Sequence, residues 1–268
     1  MKNSLKLSKS DLELCRKKIT KSIKKIVEDS KSSGVVLGLS GGVDSALVFK
    51  LAVDAGVDVR VLIMPEEGVS SEDDIKDAVG LAKSAGVKYS IIKLNPIISA
   101  VEKTFPWKDF PDENKRCAFG NSKARVRMIM NYLAANCGRR IVLGTGNRTE
   151  ILLGYATKYG DGGVDIQPIG DLFKTQVRQL ASYMGVPEKI VNKVPTAGLW
   201  VGQTDEGEIG ASYDDMDRIY FSLVAEGLSA DETARKVGVK KALVEKLIHR
   251  MESNRHKGAA PEVVKLFV

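Results

Sequence analysis

Apolar residues near the start of the chain fall at helical intervals: Leu12, Cys15, Ile19, Ile23, Ile26 and Val27. That spacing predicts an amphipathic helix over 10–33, with Ser10 as its cap and Gly34 as its stop. An unbroken apolar run follows, Val35-Val36-Leu37-Gly38-Leu39, of the kind that forms a strand covered on both faces. It breaks at Ser40-Gly41-Gly42, after which Ala46, Leu47, Phe49, Leu51 and Ala52 return to helical spacing. Further strands are predicted over 57–64, 89–94 and 141–145, and helices over 71–85, 97–105 and 114–137, with a loop at 106–111. Strands that alternate with helices imply parallel βαβ units with right-handed crossovers. The expected fold class is therefore α/β, a doubly wound parallel sheet.

Beyond 145 the pattern changes. Residues 157–170 are rich in glycine and aspartate, and 195–210 are polar and glycine-rich, too long for a tight turn. Both are expected to be loops, mobile or functional. Helices are predicted over 175–184, 213–226, 230–237 and 241–254. Repeats and low-complexity segments are missing. The expected organisation is one domain over 1–268: an N-terminal helix (1–33), an α/β core (34–200), and a lid loop with C-terminal helices (201–268).

Composition narrows the class. The 268 residues are 43% hydrophobic and 28% charged, enough for a buried core without disulfide staples. The net charge of +7 suits an anionic partner, and the phosphates of a small molecule serve as well as nucleic acid. The lysines are scattered, with no basic run of tail length. Cys15, Cys117 and Cys137 are odd in number and lack CxxC spacing, which argues against a disulfide framework or zinc ribbon and for a reducing, cytoplasmic setting. Met1 to Asp11 has no apolar core, so no signal peptide is expected, and no apolar run is long enough for a membrane span.

The first strong chemical feature is Gly38-Leu39-Ser40-Gly41-Gly42-Val43-Asp44-Ser45, which leaves a predicted strand and opens a predicted helix. Glycines let the backbone approach a phosphate, and the helix start offers unpaired N–H groups and partial positive charge. Without GxxxxGK[ST] this is not a Walker loop, nor is it GxGxxG. Asp44 beside phosphates is repulsive unless a cation intervenes, and Mg²⁺ held by one or two carboxylates fits. The plain alternative is a strand-to-helix turn with Asp44 in the first helical turn. The string SGGVDS resembles the pyrophosphate-binding loop of the N-type ATP pyrophosphatases, whose members form adenylates on a parallel, doubly wound, Rossmann-like sheet of the adenine nucleotide alpha hydrolase type.

Three later strings decide among those enzymes. Gly144-Thr145-Gly146-Asn147-Arg148-Thr149-Glu150 follows a strand, where ligands of open α/β sheets bind. Its plain alternative is a helix cap at Asn147 or Thr149. The second string is Thr157-Lys158-Tyr159-Gly160-Asp161-Gly162-Gly163, and the third runs from Pro195-Thr196 to Gly210. Together they resemble the NAD synthetases, in their ammonia-dependent form, over nearly the whole chain. Gly198 departs from the acidic residue that many of those enzymes carry. The glutamine-dependent forms have an added amidase domain. The short stretch before the phosphate loop leaves no room for one, so free ammonia is the expected nitrogen donor.

The resemblance implies a two-step ligase reaction: deamido-NAD is adenylated by ATP with release of pyrophosphate, and ammonia then displaces AMP. It assigns ATP to Gly38, Leu39, Ser40, Gly41, Gly42, Val43, Asp44 and Ser45, with Thr145, Lys174 and Thr196. It assigns Mg²⁺ to Asp44 and Glu150, and deamido-NAD to Arg125, Lys158, Asp165, His256 and Lys257. For Arg125 and Arg127 the plain alternative is a solvated helix face. Asp161, between Lys158 and Asp165, is the candidate for binding or deprotonating ammonium, so the expected catalytic residues are Asp161, Lys174 and Asp44. A homodimer is also implied, with closure of the 157–165 and 200–210 loops over the adenylate.

Other readings compete. Residues 229–251 have helix-turn-helix spacing, which would put a nucleotide-regulated protein on DNA. Two helices joined at Gly238 are equally ordinary packing, and the expectation is no nucleic-acid or membrane partner. A tRNA-modifying relative would need cysteine or metal spacing that the three cysteines lack. A non-catalytic nucleotide sensor has no need of a paired Asp44 and Glu150.

Overall fold

The computed structural model describes residues 4–266. Met1 to Asn3, part of the stretch expected to hold no signal peptide, and Phe267-Val268 lie outside the described residues. Four strands form the sheet: β1 (Gly34–Gly38), β2 (Val59–Ile63), β3 (Tyr89–Ile91) and β4 (Arg140–Val142). Their order is β3-β2-β1-β4 and every pairing is parallel. The chain steps outward from β1 to β2 and β3, then returns to the other side of β1 as β4. The order reverses at β1, and ligands of such sheets bind beyond the strand carboxyl ends at that point. One bridge, Leu143 to Ile166, carries the pairing beyond β4 into the 157–170 loop.

The helices of the core are α1 (Lys9–Asp29), α2 (Val43–Asp54), α3 (Glu72–Ser84), α4 (Asn95–Thr104), α5 (Lys115–Gly138), α6 (Arg148–Leu153), α7 (Lys174–Tyr183) and α8 (Glu188–Val191). Alternate strand residues feed two cores. Val35, Leu37, Val59 and Val61 meet Ile23 of α1, Phe49 of α2, Leu81 of α3 and Leu180 of α7. Val36, Leu62 and Val142 meet Ala135 of α5 on the other face, beside Leu94, Ile98 and Val126. Each fully buried side chain such as Leu37 contributes about 2 kcal/mol of transfer free energy. Helices thus cover both faces, as the alternation predicts.

The chain ends in α9 (Asp205–Ile209), α10 (Tyr213–Tyr220), α11 (Ala230–Val237) and α12 (Lys241–Ser253). They have their own core, in which Tyr213, Met216, Ile219, Tyr220, Val244 and Leu247 surround Leu153 and Phe173. The apolar faces of α11 and α12 are turned into it, which accounts by packing for the helix-turn-helix spacing. No helix among the described residues is long and apolar enough to cross a membrane.

Several boundaries differ from the sequence expectation. Helix α1 is capped by Ser8, not Ser10, because Ser8 and Asp11 satisfy each other's backbone N–H groups. Gly34 opens β1 rather than closing α1: a Cβ there would lie 2.1 Å from the Asp58 carbonyl oxygen. The helix predicted over 213–226 passes at Phe221–Ala225 into a π-helical turn. The 195–210 segment is not loop throughout, since Asp205–Ile209 coils as α9 with Asp205 buried.

Candidate active site

The glycine-rich loop turns at the carboxyl end of β1. Gly42 caps α2 with no side-chain hydrogen bond, so the first N–H groups of α2 stay open to an anion. Leu39 and Val43 are buried, so only their backbone can face a ligand. The loop is braced from within: the Ser45 hydroxyl accepts from Ser40 N at 3.2 Å, donates to Gly42 O at 3.0 Å, and lies 3.0 Å from Ser40 Oγ. It is also braced from behind. Lys193 Nζ donates to Gly41 O at 3.1 Å, to Asp74 Oδ1 at 2.5 Å and to Asp77 Oδ2 at 2.9 Å.

Lys174, at the start of α7, reaches into this corner. Its ammonium donates to Asp44 Oδ2 at 2.5 Å and to Glu150 Oε1 at 3.4 Å. Asn147 Nδ2 holds the other Asp44 oxygen at 2.9 Å. Glu150 and Asn147 form a capping box on α6, so the helix-cap reading of that string holds, and it also delivers Glu150 to the site. Burial alone would lower Lys174, but Asp44 and Glu150 outweigh it and hold the ammonium above its usual range. For Glu150 burial dominates and raises the carboxyl, with the charges of Asp44 and Asp205 adding and Lys174 opposing. Two carboxylates beside an open helix start are a donor set that fits a hard divalent cation sharing phosphate oxygens.

Further residues of this corner escaped the sequence. The Asp217 carboxylate accepts from the Thr149 hydroxyl, both fully buried, and from Thr175 N at 2.7 Å. Thr149 Oγ1 in turn accepts from Lys174 N at 3.0 Å, so α10 sets the start of α7. Tyr213 OH donates to Asp205 Oδ2 at 3.0 Å and lies 3.4 Å from Glu150 Oε1. Tyr155 OH bonds Asp205 Oδ1 at 3.2 Å and Glu208 Oε2 at 2.8 Å. These contacts tie α9 to the Lys174 corner. Asn147, Thr149 and Asp205 sit in strings already singled out, though with no role given to Asp205, but Lys193, Tyr213 and Asp217 carry no local signal.

The other candidates fall into a second group. Arg125 is exposed on α5 and its Nε donates to Lys158 O at 3.3 Å. Asp161 Oδ1 accepts from Thr157 N at 2.8 Å. Asp161 is open to water, yet protein crowds it on most sides, and that desolvation raises its carboxyl against the Thr157 amide and the Lys257 charge. Lys257 Nζ donates to Gly154 O at 2.8 Å, with His256 exposed beside it. Thr145 is half-buried beyond β4. Thr196 is exposed and its hydroxyl accepts from Gly198 N at 3.1 Å. Asp165 has both oxygens engaged within the chain, by Tyr132 OH at 2.9 Å and Val142 N at 2.8 Å, and so joins the loop to the sheet edge.

A parallel sheet with a glycine-lined helix start, two carboxylates and a lysine at its switch point defines an α/β enzyme of the nucleotide-binding, Rossmann-like class. The family model for NAD synthase matches residues 15–261. The NH3-dependent NAD+ synthetase of Archaeoglobus fulgidus is 46% identical over 246 residues, covering 91% of this chain and 93% of its own. Among solved structures, the NMN synthetase of Francisella tularensis has a TM-score of 0.83 at 31% identity, covering 98% of this chain and 100% of its own. The NH3-dependent NAD synthetase of Campylobacter jejuni has a TM-score of 0.78 at 32% identity, covering 95% and 100%. The chain belongs to the NAD synthase family, and so to the enzymes of NAD biosynthesis.

Proposed function

We propose that this chain converts deamido-NAD to NAD. A carboxylate oxygen of the nicotinate attacks the α-phosphorus of ATP and pyrophosphate leaves. Ammonia then attacks the acyl carbon and AMP leaves, the nitrogen losing a proton. The observation that carries this reading is the Lys174 ammonium between Asp44 and Glu150 beside the uncapped start of α2. A fixed ammonium and open backbone N–H groups stabilise charge on a departing pyrophosphate without reorganising. Residues 38–45 hold the phosphates in this reading, with Thr145 and Thr196 toward the rest of ATP. Asp44 and Glu150 hold Mg²⁺, which when bound neutralises phosphate charge.

Arg125, Lys158, Asp165, His256 and Lys257 receive deamido-NAD, Asp165 through the loop it anchors. Asp161 binds ammonium and takes its proton, and burial, by raising its carboxyl above the usual carboxylate range, makes it a stronger base. The 157–165 and 200–210 segments close over the adenylate and keep water from it. We read the chain as one domain, because α7 packs against both α2 and α10, and α6 against α10 and α12. We also read it as a cytoplasmic homodimer. Ile129 and Leu133, 47% and 53% exposed, continue from Arg125 as an apolar stripe along α5.

The test is incubation with ATP, Mg²⁺, deamido-NAD and ammonium chloride, with chromatography of the products. NAD, AMP and pyrophosphate should appear together and only with ammonium; AMP and pyrophosphate without NAD would overturn the substrate assignment. The Francisella tularensis structure, described as an NMN synthetase, favours a second reading in which the pyridine substrate is a mononucleotide. Nicotinate mononucleotide offered in the same assay separates the two.

A further inference from the structure

Helix α5 carries a line of three polar residues, buried Lys123 and half-buried Arg127 and Asn131, each one turn from the next. They lie against the carboxyl ends of β1 and β2. Lys123 Nζ donates to Glu66 Oε1 at 2.5 Å, and both side chains are about 7% exposed. Lys123 also donates to Leu199 O at 2.9 Å, which sets the 195–204 segment over the cluster. At the other end, Asn131 Nδ2 lies 3.6 Å from where a Cβ on Gly38 would stand, and Gly38 opens the phosphate loop. Arg127 is thus one helical turn from the residue that borders the ATP loop, and one turn from the residue that ties down the lid segment.

This cluster is unfinished. Arg127 Nη1, Glu66 Oε2 and Asn131 Oδ1 are all buried and have no hydrogen-bond partner. Glu66 is held by Lys123, and among the described residues no ion pair joins it to Arg127. Two cations therefore face one carboxylate, and the half-buried Arg127 keeps a positive charge with its Nη1 buried and unanswered. Burial works against the Arg127 guanidinium and Glu66 only partly offsets it. An apolar residue would pack there at less cost, because a buried charge without a partner destabilises a fold. Arg125, two positions away on the outer face, has no such difficulty.

We propose that Arg127 is a substrate-binding residue whose guanidinium takes an anionic oxygen of a bound substrate between α5 and the ends of β1 and β2. That oxygen belongs to the ATP phosphates or to the carboxylate of the pyridine nucleotide. The free Nη1 supplies a charge-assisted hydrogen bond to it. The anion completes the cluster and cancels its excess charge. This rests on the reaction proposed above.

The experiment compares wild type, Arg127→Met and Arg127→Lys. It reads the ligand-free Tm, the Kd for ATP without ammonium, and kcat and KM for deamido-NAD. The Met variant should melt no lower than wild type and lose on the order of 10- to 100-fold in kcat/KM, as expected for a charge-assisted contact. Lysine should fall between, since it keeps the charge without the planar fork. Loss of ATP affinity assigns the phosphate; loss confined to KM for deamido-NAD assigns the carboxylate; either supports the proposal. Wild-type kinetics and affinities in both variants would overturn it. So would a lowered Tm in both, because Arg127 would then be a brace. If the Met variant does not fold, the Lys variant decides: weakened kinetics at wild-type Tm supports, wild-type kinetics overturns. Should wild type itself not turn over deamido-NAD, the reaction is at fault, and the Tm and ATP affinity still report on Arg127.

Discussion

Lys174 and Asp44 are 130 positions apart in the chain, and their side chains meet at 2.5 Å. The pair is buried, with 4% and 17% of the two side chains exposed, and Glu150 shares the same ammonium. Removing the lysine leaves two carboxylates facing each other without a cation. Breaking such a pair costs about 3–5 kcal/mol. Lys174→Met should therefore lower Tm and reduce kcat by roughly 100-fold or more, in line with the loss of a fixed charge-stabilising donor. Asp44→Asn in the same background should return part of the stability but none of the activity. Calorimetry on the four proteins of that cycle gives the coupling; simple additivity would mean the pair is not a unit.

Glu150 gives the pH dependence a sign. Its folded carboxyl titrates at about 7 against an ordinary 4.5, because burial disfavours the charged form and Asp44 adds repulsion. The protonated side chain therefore favours the folded state. That stability is complete below about 4.5 and is lost as pH rises through about 7. A divalent cation needs the ionised form, so Mg·ATP should bind more tightly as pH rises over the same interval. Glu150→Gln should remove both trends. Parallel Tm–pH curves for the two proteins would show that another group is responsible.

Gly41 has φ +86°, and a Cβ there would lie 2.4 Å from the Asp74 carbonyl oxygen. The left-handed backbone alone costs an L-residue on the order of 1–2 kcal/mol, and the clash must move either the loop or α3. Gly41→Ala should raise the Kd for ATP at least tenfold while leaving KM for deamido-NAD close to wild type. Lys193→Met, which removes the brace on Gly41 O, should shift the same constant by less. Unchanged ATP binding in both variants would show that the loop does not hold the nucleotide.

Asp161 divides the two half-reactions. Asp161→Asn keeps the Thr157 contact available but takes away the charge. Pyrophosphate release in single turnover should stay near the wild-type rate, while NAD formation slows by about 100-fold, the size of a lost general base. Equal slowing of both steps would exclude a role confined to ammonium.

Glycine tolerance, apolar period and short strings such as SGGVDS depend on neighbours within a few residues, and these were legible. The parallel sheet, the helices on both its faces and the loop at the end of β1 all follow from them. Glu150 could be read too, as a carboxylate in the first turn of a helix capped at Asn147 or Thr149 and as a metal-binding group, because both readings rest on the local string from Gly144 to Glu150. The boundaries were less legible. Ser10 is the expected cap of α1 where Ser8, paired with Asp11, caps it in the fold, and Gly34 shows its reason only when Asp58, just ahead of β2, comes beside it.

The rest was decided by contacts between distant segments. Asp217 holds Thr149, Lys193 holds Gly41, and Lys174 holds Asp44 only because the reversal at β1 and the packing of α7 and α10 bring those segments together. A single chain read in order carries no distance information of that kind. Arg125 and Arg127 make the point most simply. Two residues apart on a helix, they point about 200° apart, so the sequence already forbids them a common face. Which one faces water and which one the sheet depends on how α5 is rotated as Val126 and Ala135 bury themselves against their two cores, and only the folded protein settles that rotation.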